Sequence, residues 1–338
     1  MTLWLMLLIL VILAWLMTRG LRRYALARSI IDIPNARSSH SVPTPRGGGI
    51  AIVLSFLIAV PFFANKGLLD WSSASALLGA GAGTAILGFL DDHGHIAARW
   101  RLLGHFLGAS WVIFWLGGLS SLDIFGYRFD FGWVGGVFTL FYLVWLLNLY
   151  NFMDGIDGLA SVEAICVSCG GAFLYILSGN DEFVWGAIAL ACATLGFLIW
   201  NFPPAKIFMG DAGSGFLGIS LGILSLQAAG VDSELFFGWL ILLGVFIVDA
   251  TVTLLRRMLK GARIYEAHRS HAYQYASRYY GGHKPVTLTV LFINVVWLLP
   301  LASLVALKLL DGWLALAISY VPLVLLALRF RAGETERT

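Results

Sequence analysis

Charged side chains are scarce in this sequence, and their scarcity indicates the solvent in which the chain folds. Only 12% of the 338 residues are Asp, Glu, Lys or Arg, and 59% are hydrophobic, whereas ordinary soluble domains contain about 25% charged residues. The net charge is only +3, so the basic residues do not indicate nucleic-acid binding and we expect no nucleic-acid partner. The composition predicts an integral membrane protein.

Cysteine is also rare, with three residues, Cys166, Cys169 and Cys192. The first two have the CxxC spacing of metal and redox sites, but they fall in an apolar run and no second pair completes such a site. We interpret all three as small packing residues. The sequence also contains no internal repeat, low-complexity tract or soluble domain, so residues 1–338 form a single predicted transmembrane domain.

Long apolar runs are the most abundant feature of the chain. Runs of about 17 to 25 apolar residues can cross a bilayer as helices, and they predict an all-α bundle of about 11 transmembrane helices. The first run has no basic residues before it and no small-residue cleavage site after it, so we interpret it as a retained span. The predicted spans are 3–18, 47–64, 74–90, 102–119, 133–149, 158–178, 184–200, 215–228, 235–255, 287–307 and 312–328.

The basic residues are distributed unevenly between the two sets of connections. Of the 22 lysines and arginines, only Lys66, Arg128 and Lys308 fall on one side, and 19 fall on the other. Because cytoplasmic loops are enriched in Lys and Arg, this asymmetry predicts an N-terminus outside and a C-terminus in the cytoplasm. The predicted cytoplasmic connections with unusual polar residues are 19–46, 91–101, 150–157, 201–214 and 256–286.

The stretch "NLYNFMDGIDGLAS" places Asn148, Asn151, Asp154 and Asp157 at a constant spacing of three. One straight helix would spread four such positions over about half of its circumference. The glycines predict that the helix ends near Asn151, with both aspartates in the following turn. Carboxylates just beyond a helix C-terminus face the negative end of its dipole, which makes this a favourable position for a cation.

Two further motifs carry carboxylates. "GFLDDHGH" places Asp91 and Asp92 after a span, and adjacent carboxylates either raise a proton affinity or attract a metal. The alternative is a solvated loop start. In "IFMGDAGSGFLG", Asp211 precedes a glycine-rich helix start, where an N-cap is the alternative to a ligand role.

Basic and imidazole side chains occupy two other connections. In "HRSH", His268 and His271 stand three residues apart around Arg269 and can share a helix face, with solvated loop histidines as the alternative. Arg46 precedes three glycines, and free backbone N–H groups beside a guanidinium favour a phosphate site. Close helix packing is the alternative explanation for these glycines.

All these groups fall on the predicted cytoplasmic side. Carboxylate and amide oxygens suit magnesium, which retains water molecules that phosphates can replace, and the basic residues suit an anion. The pattern predicts metal-assisted phosphoryl transfer at the membrane surface. A transporter is the rival hypothesis, because acids within spans mark ion pathways; here only Glu163 and Asp249 lie within spans.

These motifs and the segment "DIPNARSSHSVPTPRGGG" resemble those of the polyprenyl-phosphate N-acetylhexosamine-1-phosphate transferases, which belong to glycosyltransferase family 4. The resemblance covers residues 31–275. The resemblance implies transfer of a sugar 1-phosphate from a UDP-N-acetylamino sugar to undecaprenyl phosphate in the bacterial inner membrane, with release of UMP. The related transferase of peptidoglycan synthesis has a cluster of three histidines where this chain has "HRSH". We therefore expect the branch that initiates O-antigen or related surface polysaccharides. A CDP-alcohol phosphotransferase is disfavoured, because "DGIDGLAS" lacks the Ala-Arg pair of that family.

The resemblance also implies roles for individual residues and partners. It implies magnesium as the cofactor, with manganese as the alternative, and a homodimer as an oligomeric state of related enzymes. Asp91 is expected to position or deprotonate the acceptor, and the lipid phosphate is expected to bind Arg46. The metal is expected to bind Asn151, Asp211 and Asp92. The nucleotide sugar is expected to contact Asn148, Asp154 and Asp157, with Phe208 stacked on uracil, and the diphosphate or the sugar is expected to face His268, Arg269 and His271.

Overall fold

Helices dominate the fold. The computed structural model describes residues 3–34, 39–94, 96–261 and 269–334. The helices are α1 (Leu3–Ala27), α2 (Ile50–Asn65), α3 (Trp71–Gly94), α4 (Ala98–Leu116), α5 (Gly132–Met153), α6 (Leu159–Leu177), α7 (Val184–Asn201), α8 (Asp211–Val231), α9 (Ser233–Leu242), α10 (Gly244–Leu259), α11 (Ala272–Tyr279), α12 (His283–Ile293), α13 (Leu299–Ala306) and α14 (Gly312–Arg329). A 3₁₀ turn, Asp181–Phe183, precedes α7, and a π turn, Asn294–Leu298, joins α12 to α13.

The predicted all-α polytopic membrane architecture is confirmed. Within the described ranges, eight helices or continuous helix pairs are long and apolar enough to cross a membrane, and a ninth is obtained if α9 and α10 count as one span. The predicted span 235–255 was expected to be one helix, but it bends by 68° between α9 and α10. α2 has only 16 residues, and α4 carries Arg99 and Arg101 in its first turn. The number eleven and the orientation of the termini therefore remain predictions.

α8 is the centre of the bundle. Every residue from Ala212 to Ala228 is buried, and the helix packs against both α3 and α5. Small residues allow these close approaches: a Cβ on Gly218 would lie 2.8 Å from Leu147 Cα, and one on Gly88 would lie 2.5 Å from the backbone N of Ala212. This packing places the end of α3 beside the start of α8.

Two short hairpins depart from the all-helical expectation. β1 (Ile31–Asp32) pairs antiparallel with β2 (Thr44–Pro45), and β3 (Ser121–Ile124) pairs with β4 (Tyr127–Asp130). The first hairpin continues into further backbone hydrogen bonds, because the N–H of Phe208 donates to Pro45 O and the N–H of Gly48 donates to Phe208 O. These bonds fix the "PRGGG" segment against the "FMGD" segment.

Candidate active site

A cavity of about 210 Å³, which we call the main cavity, lies where several interhelical connections converge. Its wall comes from the loop before α2, the α5–α6 turn, the α7–α8 connection and the segment from α11 to the start of α12. Polar side chains dominate this wall. Its side chains include Asp32, Ser39, His40, Arg46, Asn151, Asp154, Asp157, Asn201, Phe208, Asp211, Gln274 and His283.

Arg46 and Asp92 form an ion pair beside this cavity. The Asp92 carboxylate also accepts the backbone N–H of Asp211, at 3.1 Å to Oδ2, so it joins α3, the loop before α2 and the start of α8. Burial acts to lower the pKa of Arg46, but the charge of Asp92 and its hydrogen bond outweigh that effect and raise the pKa above its usual range. The guanidinium is therefore permanently charged.

Gly48 and Gly49, the second and third glycines after Arg46, serve packing rather than the phosphate site considered from the sequence. The N–H groups of Gly48 and Gly49 donate to the carbonyls of Phe208 and Met209, each at 2.9 Å. A Cβ on Gly49 would lie 2.6 Å from Gly213 Cα. These two N–H groups have carbonyl partners already, so the close-packing explanation is the one that the structure supports.

The α5–α6 turn contributes two aspartates. α5 ends at Met153, Asp154 follows as the C-cap residue, and Gly158 has φ +73°, a conformation that glycine adopts without strain. Burial, together with the charges of Asp211, Asp92 and Asp157, raises the pKa of Asp154 well above its usual 3.8. The main cavity thus has an excess of carboxylate.

Asp157 is bound on both oxygens. Its Oδ1 lies 3.2 Å from His283 Nδ1, and its Oδ2 accepts the backbone N–H of Ala205 at 3.0 Å. The sequence analysis assigned Asp157 to the nucleotide and did not identify His283 at all. The signal was available only in three dimensions, because residues 157 and 283 are separated by four membrane segments.

Ser39 and His40 are two further residues that the sequence analysis did not select. Ser39 Oγ and His40 Nε2 are buried without a hydrogen-bond partner among the described residues, and both side chains line the main cavity. The nearest carboxylate to His40 Nε2 is Asp32 Oδ1, which is 3.9 Å away and beyond hydrogen-bond distance. The His40 ring contacts Phe208 edge to face, with centroids 4.8 Å apart. Buried polar atoms normally have a partner, so these two atoms mark a wall suited to a polar ligand.

A second cavity of about 30 Å³, which we call the small cavity, lies on the other side of Asn151 and Asp211. Asp91 accepts hydrogen bonds there from Arg101 and from the backbone N–H of Ile96. Arg101 Nη1 lies 3.8 Å from Asp211 Oδ2. Sequence analysis missed Arg101, although its position ten residues after Asp91, in the same predicted cytoplasmic connection, was a usable signal.

Asn148 lines the small cavity and not the main one. Its Nδ2 lies 3.3 Å from His105 Nδ1 and donates to Val144 O at 2.7 Å. The expected grouping of Asn148 with Asp154 and Asp157 is therefore not seen: a step of six residues along α5 turns the side chain away from the turn that follows the helix.

Asp211 is the first residue of α8, and Gly210 occupies the N-cap position. The Asp211 side chain makes no capping bond, so the capping alternative is wrong. Asn151 Nδ2 donates to Ser214 Oγ at 3.0 Å, one turn into the same helix. Asn151 and Asp211 consequently form the partition between the two cavities.

The "HRSH" motif is only partly described. His268 lies outside the described residues. His271 is buried, with Nδ1 3.3 Å from Asp249 Oδ1, and it begins α11 in a capping box with Gln274. Neither His271 nor Arg269 belongs to the wall of the two cavities. The solvated-histidine alternative is wrong for His271, whose 3% exposure places it in the protein interior.

Comparison with known proteins identifies the family of this chain. The profile of glycosyl transferase family 4 matches residues 74–229, which include the Asp91, Asn151 and Asp211 motifs. The phospho-N-acetylmuramoyl-pentapeptide-transferase of Geobacillus thermodenitrificans is 31% identical over 257 residues, covering 72% of this chain and 77% of that protein. This chain belongs to glycosyl transferase family 4. The membership predicted from the motifs is confirmed.

Two other family 4 relatives cover more of the chain. The probable undecaprenyl-phosphate N-acetylglucosaminyl 1-phosphate transferase of Bacillus subtilis is 29% identical over 317 residues, covering 91% of this family 4 chain and 86% of the relative. The decaprenyl-phosphate N-acetylglucosaminephosphotransferase of Mycobacterium tuberculosis is also 29% identical, covering 84% and 78%. Similarity thus extends well beyond the matched profile.

Proposed function

We propose that this protein transfers N-acetylglucosamine 1-phosphate from UDP-N-acetylglucosamine to undecaprenyl phosphate and releases UMP. Relatives named as N-acetylglucosamine 1-phosphate transferases support this donor, and one of them covers 91% of the chain. UDP-N-acetylgalactosamine and the 6-deoxy sugars UDP-FucNAc and UDP-QuiNAc are the competing donors.

The observation that carries this proposal is the partition by Asn151 and Asp211. A transfer between two phosphate compounds needs adjacent sites for a donor and an acceptor, with the reacting atoms near one another. The main cavity, with its unpartnered polar atoms and the Phe208 ring, suits the nucleotide sugar. The small cavity, with Asp91 and Arg101, suits the acceptor phosphate.

Magnesium is part of the proposal. Among the described residues, no three His, Cys, Asp or Glu side chains are grouped closely enough to hold a metal by themselves. Magnesium commonly binds one or two protein carboxylates and takes its other ligands from phosphates and water, so it does not require such a group. Asp154 and Asp211, with Asn151, fit such a partial ligand set. Burial and the neighbouring carboxylates of Asp211, Asp92 and Asp157 raise the pKa of Asp154, and a divalent cation would stabilise the ionised carboxylates. Asp92, expected at the metal, is instead paired with Arg46. Manganese is the alternative ion.

The reaction that follows is a single displacement. An oxygen of the lipid phosphate forms a bond to the β-phosphorus of the donor, the bond from that phosphorus to the bridging oxygen breaks, and UMP leaves with the electron pair. Because the second pKa of a phosphate monoester is about 6, the acceptor is already mostly dianionic at neutral pH. The bound metal ion supplies charge neutralisation for the phosphoryl oxygens.

The protein groups then have positioning and electrostatic roles. Asp91, held by Arg101, orients the acceptor and removes its remaining proton when one is present. Arg46 lines the main cavity and therefore binds a phosphate oxygen of the donor, in place of the lipid phosphate that the family resemblance implied. Phe208 stacks on the uracil ring, and Asn151 keeps the start of α8 in register. Such preorganised charges are the main source of catalysis in phosphoryl transfer.

The pathway is the finer part of the proposal. We propose that the product is the first lipid-linked intermediate of O-antigen or a related surface polysaccharide, made at the bacterial inner membrane. Its support is the "HRSH" motif in place of three histidines. The relatives include transferases of both the N-acetylglucosamine and the N-acetylmuramoyl-pentapeptide type, so donor choice is the feature to measure. The homodimer stays a prediction.

The test uses purified protein with undecaprenyl phosphate, magnesium and a panel of UDP-sugars, with UMP release as the readout. We expect UDP-N-acetylglucosamine to support turnover and UDP-N-acetylmuramoyl-pentapeptide to give none. Omission of the lipid acceptor is the control for simple hydrolysis. Absence of UMP release with every UDP-amino sugar would overturn the proposal and favour transport; a trapped phospho-aspartyl enzyme would replace the single displacement with two steps.

A further inference from the structure

His283 begins α12 and lies between two different connections. Its Nε2 is 2.8 Å from the backbone carbonyl of Ser39, in the loop before α2. On the other edge of the ring, Nδ1 is 3.2 Å from Asp157 Oδ1. The side chain is 14% exposed and that of Asp157 is 12% exposed, so both contacts are largely shielded from water.

The chemistry of the two partners fixes the proton on His283. A carbonyl oxygen only accepts, so Nε2 carries a hydrogen. In the imidazolium form, Nδ1–H donates to the Asp157 carboxylate. In the neutral form, Nδ1 accepts the backbone N–H of Asp157, which lies 3.3 Å away. The ring therefore joins Asp157 to Ser39 in either protonation state.

Two further bonds attach other parts of the site to this pair. Thr287, one turn later on the same face of α12, donates its hydroxyl to the Asp157 carbonyl at 2.9 Å. The N–H of Ala205, in the α7–α8 connection, donates to Asp157 Oδ2 at 3.0 Å. Four separate segments thus meet at the Asp157–His283 pair. The segment held through Ser39 carries Ser39 Oγ and His40 Nε2, which accept or donate no hydrogen bond within the described part of the chain.

We propose that His283 is a positioning residue for the donor: by binding Asp157 and the Ser39 carbonyl at once, it holds the wall from which Ser39 Oγ and His40 face the main cavity. The inference rests on the proposed function, since it assigns the nucleotide sugar to that cavity. The expected consequence is specific. Loss of His283 weakens donor binding, while the acceptor side, built on Asp91 and Arg101, is left in place.

The experiment compares His283→Leu, which removes both contacts, with two partial replacements. His283→Gln keeps a donor at the distance of Nε2 and so keeps the Ser39 contact. His283→Asn keeps a polar atom at the distance of Nδ1 and so keeps only the Asp157 contact. Thr289→Val, an exposed position on the same helix, is the matched control. Melting temperature is measured for each variant to separate positioning from misfolding.

We expect His283→Leu to raise the KM for UDP-N-acetylglucosamine about tenfold or more, the usual scale for a displaced positioning group, with the KM for undecaprenyl phosphate unchanged. His283→Gln, which keeps the contact to Ser39, should recover part of the donor affinity, His283→Asn should recover less, and Thr289→Val should match the wild type. Equal losses for both substrates, or a donor KM that is unchanged in His283→Leu, would overturn the inference.

Binding of UDP with magnesium, measured by calorimetry, provides a readout that does not need turnover. We expect His283→Leu to bind UDP about tenfold more weakly, which corresponds to about 1.4 kcal/mol. If the wild type binds UDP but releases no UMP, this measurement still tests His283 while the proposed function fails. If turnover is normal and the variant binds UDP as the wild type does, only the inference fails. A wild type that neither binds UDP nor releases UMP overturns both.

Discussion

Asp91 and Asp92 are neighbours in the chain, yet they lie on different sides of the Asn151–Asp211 partition. Asp92 pairs with Arg46 and accepts the Asp211 N–H on the side of the main cavity, whereas Asp91 pairs with Arg101 in the small cavity. Consecutive residues on a helix point about 100° apart, so one turn of α3 supplies a carboxylate to each side of the Asn151–Asp211 partition. The two aspartates are therefore not interchangeable, although their sequence motif treats them as a pair.

The largest expected effect is at Asp211, which lines both cavities. Asp211→Asn should lower kcat about 1,000-fold or more, because the variant loses a charge at the place where donor and acceptor meet. UMP release by the purified variant measures the loss, and the melting temperature checks the fold. Near-normal turnover with magnesium present would show that Asp211 does not bind the metal and that the partition has no catalytic importance.

A direct comparison of Asp91→Asn with Asp92→Asn comes next. Asp91→Asn should lower turnover about 100-fold, the lower end of the range for a lost general base or positioning carboxylate. It should also change how the rate of UMP release depends on the concentration of undecaprenyl phosphate. Asp92→Asn should instead raise the KM for the UDP-sugar, because Arg46 loses its partner on the donor side. If the two variants alter the same kinetic parameter by the same factor, the assignment of separate sides is wrong.

Sequence alone predicted the helical membrane fold and the meeting of distant motifs, because apolar periodicity and loop charge are local signals. It also predicted, from Gly155 and Gly158, that α5 ends near Asn151 with both aspartates in the following turn; the helix ends two residues later, at Met153. It could not predict which side of the partition each residue faces. The side that a residue faces depends on how each helix is rotated about its axis, which decides the position of Asn148. It also depends on close contacts between helices, such as that of Gly88 with the start of α8.

Tertiary pairing was equally out of reach. The Asp157–His283 contact joins residues separated by 126 positions, and the burial of His271 against Asp249 depends on the 68° bend between α9 and α10. The sequence motifs predicted that His271 faces the diphosphate or the sugar at the cytoplasmic surface. The bend instead brings Asp249 to the start of α11, where its carboxylate accepts the N–H groups of Ala272 and Tyr273, each at 3.0 Å.

Asn148 offers a smaller and sharper test of the two-cavity arrangement. The sequence assigned it to the nucleotide sugar, whereas the structure places it beside His105 in the small cavity. Asn148→Ala should raise the KM for undecaprenyl phosphate by about threefold to tenfold, the scale of one lost polar contact, and leave the KM for the UDP-sugar unchanged. The opposite pattern would restore the role predicted from the sequence.

The smallest expected effect concerns the pH dependence of stability at Asp154, on the main-cavity side. Burial and the neighbouring carboxylates raise its pKa in the folded protein, so folding favours the protonated form. Its contribution to stability is present below the ordinary pKa of an aspartate and is lost as the pH rises through the raised value. In metal-free protein we therefore expect the melting temperature to fall across that interval by about 2 °C or more.

Asp154→Asn cannot ionise at this position, so its melting temperature should change less with pH than that of the wild type. Magnesium should restore the melting temperature of the wild type at the higher pH by neutralising the carboxylate. Asp70, a carboxylate on the opposite end of α3, is the matched control through Asp70→Asn, which should leave the slope as in the wild type. A wild-type melting temperature that rises with pH while Asp154→Asn behaves identically would mean that the carboxylate excess of the main cavity is already compensated within the protein.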